Sequence, residues 1–381
     1  MEWKRYCSDH NQVDEGNTID LLEGGNATFE TMLSAIEGAE RFVSLATFIF
    51  APDRTGRRFL DALLRARERG VEVRLIIDGV GCLETPRSFL RPLKAAGGEI
   101  HVYHRLDPWR LKFVIWHRMH RKNLVVDGRV GFCGGLNIHD RCLPIEDGGG
   151  GWHDIHARIE GPAVRSLHRS FLNTWIRVLG PPSSDHELLP RPGARGNHPV
   201  QVITAGGKRR GKRKRMIQRA YQHAIKNAQR TIHLWNPYFI PNRGVRRALR
   251  NACSRGVDVR VIVPARGNHP AVHLASENLY AKLMRYGMRI LRWPGPMMHA
   301  KTAVIDSTWS TVGSYNLDAQ SHLHNLELNV TVYGERFGEA LEALFVRDTE
   351  QCVEVDNGNW SNRSLVDRLL QKLCYGFRRW L

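Results

Sequence analysis

His120-Arg-Lys122-Asn-Leu-Val-Val-Asp127 and His299-Ala-Lys301-Thr-Ala-Val-Ile-Asp306 carry one pattern, His-x-Lys-x4-Asp, at two places about half a chain apart. Each is followed, six residues on, by a Gly-containing turn that delivers an Asn: Gly134-Gly135-Leu136-Asn137 in the first case, Gly313-Ser314-Tyr315-Asn316 in the second. At ordinary residue usage one such three-residue match is expected on the order of once in ten thousand start positions. Two copies with matching Asn extensions are therefore a duplication.

The spacing has a physical reading. The stretches from Lys122 to Asp127 and from Lys301 to Asp306 are β-branched and apolar between polar ends, which predicts strands. Residues i and i+2 of a strand share a face, so the His and Lys of each copy point the same way. The Gly-rich segment after the next short strand allows close backbone approach, and its Asn adds an amide donor. Two sets facing each other place two His, two Lys and two Asn around one small volume. That inventory suits a phosphate diester: cations and amides hold the non-bridging oxygens while imidazoles manage attack and departure. Asp127 and Asp306 stand an odd number of residues from the His and face the other side, so a structural role is expected of them.

The duplication extends beyond the motifs. Phe59 to Ile77 and Arg247 to Val263 each read as an amphipathic helix ended by Gly (Gly70, Gly256) and followed by a strand. Before each lies a predicted strand, Phe42 to Phe50 and Thr231 to Ile240, preceded by a helix, Thr28 to Glu40 and Met216 to Gln229. An α/β domain built twice follows. The expected division is a first domain over 1–180, a Pro/Gly/Ser-rich linker over 181–198, a second domain over 199–355 and an amphipathic tail over 356–381.

The paired motifs resemble the phospholipase D superfamily, and the chain is most similar to bacterial cardiolipin synthases of the short type without N-terminal membrane spans. The likeness runs from about Ile19 to Val355 and includes Leu21-Leu-Glu-Gly-Gly25, Arg118-Met-His-Arg-Lys122 and Arg158-Ile-Glu-Gly-Pro162. It implies two tandem phospholipase D-like α/β domains, mixed sheets flanked by helices, related by a pseudo-twofold axis that brings both motifs to one interface. It implies His120, Lys122, Asp127, His299, Lys301 and Asp306 as the catalytic signature, with His120 as nucleophile and His299 as acid and base. Lys122, Asn137, Lys301 and Asn316 are the expected phosphate ligands. Catalytic imidazoles need carboxylates to orient them; the family implies Glu327 for His120 and Asp154 for His299, paired crosswise. Gly135 stands where the second copy has Ser314, so a hydroxyl near the phosphate is expected from one half only.

Composition bears on partners. Over 381 residues the net charge is +18 and the hydrophobic content 42%, with a pI near 10.0; such a balance favours polyanions, an anionic membrane surface or nucleic acid. No stretch approaches eighteen apolar residues, no signal peptide is expected at the N-terminus, and seven scattered Cys read as reduced thiols. His117, His153 and His156 form no recognised ligand set, and Gly148 to Gly151 is not a nucleotide-binding fingerprint; no metal and no cofactor is expected. Three features point to lipid: the aromatic–basic segment Trp109 to Arg118, the polybasic run Lys208 to Arg215, and a tail whose Leu365, Leu369, Leu370, Leu373 and Phe377 share one face before Arg378-Arg379-Trp380. The polybasic run would bind nucleic acid as readily as lipid; the aromatic–basic segment and the tail weigh against nucleic acid. The expectation is a peripheral enzyme at the cytoplasmic face of the cell membrane, transferring a phosphatidyl group from phosphatidylglycerol or a related phospholipid, through a phosphatidyl-histidine, to form cardiolipin. Hydrolysis by the same intermediate and a nuclease activity stay open as alternatives, and no oligomeric state is specified.

Overall fold

The computed structural model describes residues 2–105, 116–179, 191–206, 215–356, 358, 360 and 362–380. Most of the aromatic–basic segment (up to residue 115), most of the polybasic run (208–214) and residues 181–190 of the expected linker lie outside them.

The first half contributes strands β1 (Asp14–Glu23), β2 (Phe42–Thr47), β3 (Glu72–Asp78), β4 (Glu99–Tyr103), β5 (Asn123–Val126), β6 (Val130–Gly134), β7 (Trp152–His153) and β8 (Ile155–Glu160). The second contributes β9 (His198–Ala205), β10 (Thr231–Trp235), β11 (Asp258–Pro264), β12 (Arg289–Trp293), β13 (Met297–Met298), β14 (Thr302–Ile305), β15 (Trp309–Gly313), β16 (Glu327–Tyr333) and β17 (Val353–Glu354). From one edge the order is β4-β3-β2-β5-β6-β8-β1, then β9-β16-β15-β14-β10-β11-β12-β17. Apart from the terminal β17, the order reads the same in both directions, and the two halves meet where β1 and β9 pair antiparallel, Asp14 opposite Val200 and Asn17 opposite His198. A pseudo-twofold relation between tandem α/β halves is thus visible in the strand order.

The elements follow from local chemistry. β2, β5, β14 and β16 are buried along their whole length; β5 and β14 carry short apolar runs, Leu124-Val-Val126 and Ala303-Val-Ile305, whereas β16 alternates Glu327, Asn329 and Thr331 with apolar residues and buries both faces. The helices Arg54–Glu68 and Arg243–Ser254 start on side-chain caps, Asp53 accepting from Gly56 N and Asn242 from Gly244 N and Val245 N. Both are followed by the expected glycine in the left-handed region, Gly70 at φ 84° and Gly256 at φ 85°. β2 and β10 end three and five residues earlier than the sequence pattern predicts. The chain beyond β2 leaves the sheet to pair with the Asn137 turn, Ala51 N donating to Ile138 O at 2.9 Å, so these apolar residues serve the site instead of the ladder.

One apolar core fills each half between sheet and outer helices, and a third lies between the halves. The third is built from β6, β8, β15 and β16 together with Val164, Leu167, Leu341 and Phe345 of the helices Ala163–Leu179 and Glu335–Gln351. It is this shared core that holds the two motifs at a constant separation. The first residues of the chain belong to the other half: Trp3, Tyr6 and Cys7 pack in the second core.

Candidate active site

Both His-bearing segments are pinned by backbone hydrogen bonds to the opposite half. His120 N donates to Leu326 O at 3.0 Å, and His299 N donates to His153 O at 2.7 Å. β7 and β13 pair in parallel across the interface, Trp152 opposite Met297 and His153 opposite Met298. Leu326 and His153 are the residues immediately before Glu327 and Asp154. Each half therefore delivers its carboxylate to the other half's imidazole: His120 Nδ1 lies 3.0 Å from Glu327 Oε2 and 3.1 Å from Oε1, and His299 Nδ1 lies 2.7 Å from Asp154 Oδ2. With the carboxylates ionised, each Nδ1 carries the proton and donates it, leaving each Nε2 with its lone pair.

The imidazoles open into one cavity of about 680 Å³, lined among others by His120, His299, Asn137 and Asn316. Asn137 Oδ1 accepts from Ile49 N at 3.1 Å, which commits its carbonyl and leaves its amide protons available. Lys122 and Lys301 are buried beside the His, at 2% and 0% exposure. Lys122 Nζ donates to His120 O at 2.8 Å and Lys301 Nζ to His299 O, so both ammonium groups stay on the His side, as the i, i+2 spacing requires. Two aromatic side chains wall the imidazoles. Phe48 meets the His120 ring edge-on at 5.2 Å and Trp152 lies 5.0 Å from the His299 ring. Neither has a local signal, since both are reached through the loops after β2 and at β7.

Burial governs the titration of this cluster. It lowers the His299 pKa to about 3, helped by Lys301 and opposed by Asp154, and lowers that of His120 against the pull of Glu327. It also brings Lys122 to about 7, with Lys301 adding repulsion, and Lys301 to about 8. The carboxylates go the other way: burial would raise them, but Lys301 and His299 hold Asp154 at about 2, and His120 and Lys122 keep Glu327 below its usual value. The free site thus holds ionised carboxylates under neutral imidazoles. Asp318, also lining the cavity, is pushed up by burial to about 7.

Asp127 and Asp306 lie away from the cavity. Asp127 accepts from Glu40 N, Arg41 N and Phe42 N at 2.8–2.9 Å; Asp306 accepts from Gln229 N, Arg230 N and Thr231 N at 2.7–2.8 Å and from Tyr6 Oη at 2.6 Å. Each occupies the turn after a motif strand at positive φ, 54° and 52°, and ties it to the start of the neighbouring strand. The Ser314 hydroxyl, expected near the phosphate, instead donates to Glu327 Oε2, as Ser321 Oγ does to Oε1 at 2.7 Å. The difference from Gly135 has a steric origin: a Cβ on Gly135 would lie 2.1 Å from Asp154 Oδ1. Gly148 to Gly151 form a packed turn, Gly149 N donating to Pro144 O at 2.8 Å and Gly151 N to Leu143 O at 2.9 Å, that leads into Trp152.

For a metal, the group among the described residues whose ligand atoms converge within 4.8 Å is Glu23, His153 and Asp348. Asp348 Oδ2 there already accepts from His153 Nε2 at 2.8 Å and Trp235 Nε1 at 2.6 Å, and the trio braces β7 instead of facing the cavity.

Comparison with known proteins agrees with this geometry. A family model described as "Cardiolipin synthase, PLD-like domain" matches residues 32–175 and again 221–349. The cardiolipin synthase of Clostridium perfringens (strain SM101) is 30% identical over 373 residues, 96% of this chain and 77% of that protein. The major cardiolipin synthase of Bacillus subtilis is 31% identical over 349 residues, 90% and 70% of the two chains. In fold, a phosphatidylserine synthase from Haemophilus influenzae superposes with a TM-score of 0.74 at 13% identity, covering 100% of this chain and 98% of that one. The duplicated motif, the mirrored sheet and these relatives lead to one conclusion: the chain belongs to the phospholipase D-like cardiolipin synthase family.

Proposed function

We propose that this enzyme makes cardiolipin by phosphatidyl transfer, with phosphatidylglycerol as donor and acceptor. The observation that carries the reading is the crosswise pairing of two imidazoles with two buried carboxylates around one cavity that also presents two Asn, with two buried Lys donating to the backbone carbonyls of the two His. His120 Nε2 attacks phosphorus of the first lipid and the P–O bond to the headgroup glycerol breaks. His299 protonates the departing alkoxide. Its pKa is low in the free site, but a phosphate anion bound beside it and the Asp154 carboxylate behind it favour the protonated form once lipid is in place. The headgroup hydroxyl of a second phosphatidylglycerol then gives its proton to His299 and attacks the phosphatidyl-histidine. The P–N bond breaks and cardiolipin leaves. Lys122, Lys301, Asn137 and Asn316 hold the non-bridging oxygens as negative charge develops. Glu327 orients His120 and Asp154 orients His299. Asp127 and Asp306, the remaining members of the signature, maintain the strands that carry the Lys.

The enzyme works as a peripheral protein on the cytoplasmic face of an anionic membrane. The +18 charge supports this, and no helix among the described residues is long and apolar enough to cross a bilayer. No metal takes part. The test is purified protein with phosphatidylglycerol vesicles in EDTA, products followed by mass spectrometry beside His120→Ala. Cardiolipin plus glycerol, abolished by the substitution, is the expected result. Phosphatidic acid alone would make the enzyme a hydrolase, and activity lost with EDTA would make it metal-dependent.

A further inference from the structure

The helix Leu365–Gly376 is docked with its polar side inward. Gln371, buried, donates to Glu277 Oε2 at 3.1 Å on the helix Pro270–Met284 and accepts from Arg363 Nη1 at 2.9 Å. Arg246 Nη1 reaches Tyr375 Oη at 3.1 Å, and Cys374 and Tyr375 pack on the second core. The opposite side carries Leu365, Val366, Leu369, Leu373, Phe377 and, beyond the helix, Trp380, between 55% and 79% exposed. Arg368, Lys372 and Arg379, all exposed, follow the same helical spacing along one edge of this stripe. A helix of a water-soluble fold buries its apolar stripe; this one buries its polar stripe and offers the apolar one outward.

The stripe ends at the catalytic cavity. The Trp380 ring lies 5.4 Å from Trp116, four residues before His120. Trp380 O accepts from Gln320 Nε2 at 3.3 Å, and Gln320 lines the cavity that holds both His.

We propose that the outer face of the C-terminal helix is the bilayer-docking surface of this enzyme, specific for anionic phospholipid. The apolar stripe enters the headgroup–acyl boundary, its basic edge meets lipid phosphates, and the cavity mouth beside Trp380 is set against the leaflet that supplies substrate. Continuity of the stripe with the cavity mouth is what selects a bilayer over a second copy of the chain. The inference rests on the reading that the substrate is a membrane lipid, and its test reads binding and turnover separately.

The full chain is sedimented with phosphatidylglycerol-containing vesicles and with purely zwitterionic ones, comparing the parent, Leu369→Glu/Leu373→Glu, Leu369→Gln/Leu373→Gln and His120→Ala. Both tail variants should lose vesicle binding about tenfold or more while keeping the parent's melting midpoint and its turnover of detergent-dispersed phosphatidylglycerol. His120→Ala should bind vesicles as the parent does, so failure of the transfer reading would leave the docking result intact. Tail variants that bind anionic vesicles like the parent overturn the proposal. So does a parent dimer that these substitutions convert to monomer without changing vesicle binding, since the stripe would then join two copies.

Discussion

Replacing Gly135 by Ala perturbs the Asp154–His299 contact of the proposed mechanism without removing any functional group. A Cβ at this position would lie 2.1 Å from Asp154 Oδ1 and 2.5 Å from Oδ2. Non-bonded contacts of this kind require at least about 3.0–3.4 Å, so the carboxylate must retreat by about 1 Å. Its hydrogen bond to His299 Nδ1, 2.7 Å in the native site, then lengthens past useful geometry. Overpacking should cost about 1–3 kcal/mol of stability, which lowers the melting midpoint but leaves the protein folded. Losing the orientation of a catalytic imidazole by about 1 Å lowers turnover on the order of 100-fold; losing the carboxylate's charge stabilisation as well would bring the loss toward 10,000-fold. The assay is initial-rate cardiolipin formation on phosphatidylglycerol vesicles, with kcat separated from the half-saturating lipid concentration. The fall should lie in kcat, because Asp154 supports charge that develops on His299 and does not hold ground-state lipid. The mirrored change, Ser314→Gly, opens space beside Glu327 and leaves that carboxylate with Ser321 Oγ; it should cost about tenfold or less. Folded Gly135→Ala protein with parental kcat would refute the assignment of Asp154 as the group that orients His299.

Other outcomes follow from the same geometry. Asp306→Ala leaves three backbone N–H groups and the Tyr6 hydroxyl without an acceptor. A loss of about 3–5 kcal/mol in denaturant unfolding is expected, with kcat per folded molecule nearly unchanged; a specific loss of kcat would place this Asp in the chemistry after all. Burial depresses His156 and His168 to a pKa of about 4 each. Because the unfolded chain binds protons at these sites below about pH 6.5 and the folded one does not, stability is lost as pH falls from about 6.5 toward 4, by roughly 3 kcal/mol per residue. Melting curves over that range should descend, and His168→Gln should flatten them. Lys122, at about pKa 7 in the free site, loses its charge as pH rises through neutrality, so kcat/KM should decline above about pH 7; a profile that stays flat from about pH 7 to about pH 9 would show that bound phosphate does not depend on it.

The duplicated pattern made the tandem fold legible because each motif strand, each Gly-ended helix and each Asn turn is a local feature written twice. The opposite-face position of Asp127 and Asp306 was equally legible, since it depends only on an odd spacing along a strand. The crosswise pairing of Glu327 with His120 and of Asp154 with His299 had no local signal: it exists because β7 pairs with β13 and Leu326 O accepts from His120 N, contacts that only the assembled interface creates. The Ser314 hydroxyl was read as a phosphate neighbour because its motif position is close to the site, while its direction, toward Glu327, is decided by the β15–β16 pairing. β2 and β10 end early because the chain beyond them leaves the sheet: Phe48, Ile49 and Tyr238 line the cavity, while Phe50, Phe239 and Ile240 pack in the cores of the two halves. For the tail, helical spacing correctly grouped the Leu residues, but which side faces the protein was set by Gln371, Glu277 and Arg363, a buried polar set formed by three separate segments.

In the proposed mechanism His120 becomes covalently phosphatidylated and His299 resolves the adduct. Parent enzyme mixed with phosphatidylglycerol, quenched within a single turnover at neutral to alkaline pH and mapped by peptide mass spectrometry, addresses it most directly. A phosphatidyl group on the peptide carrying His120, absent from His120→Ala and released as cardiolipin by the parent enzyme, is the predicted result. An adduct on His299 in the parent, or cardiolipin formed with normal turnover by His120→Ala, would contradict it.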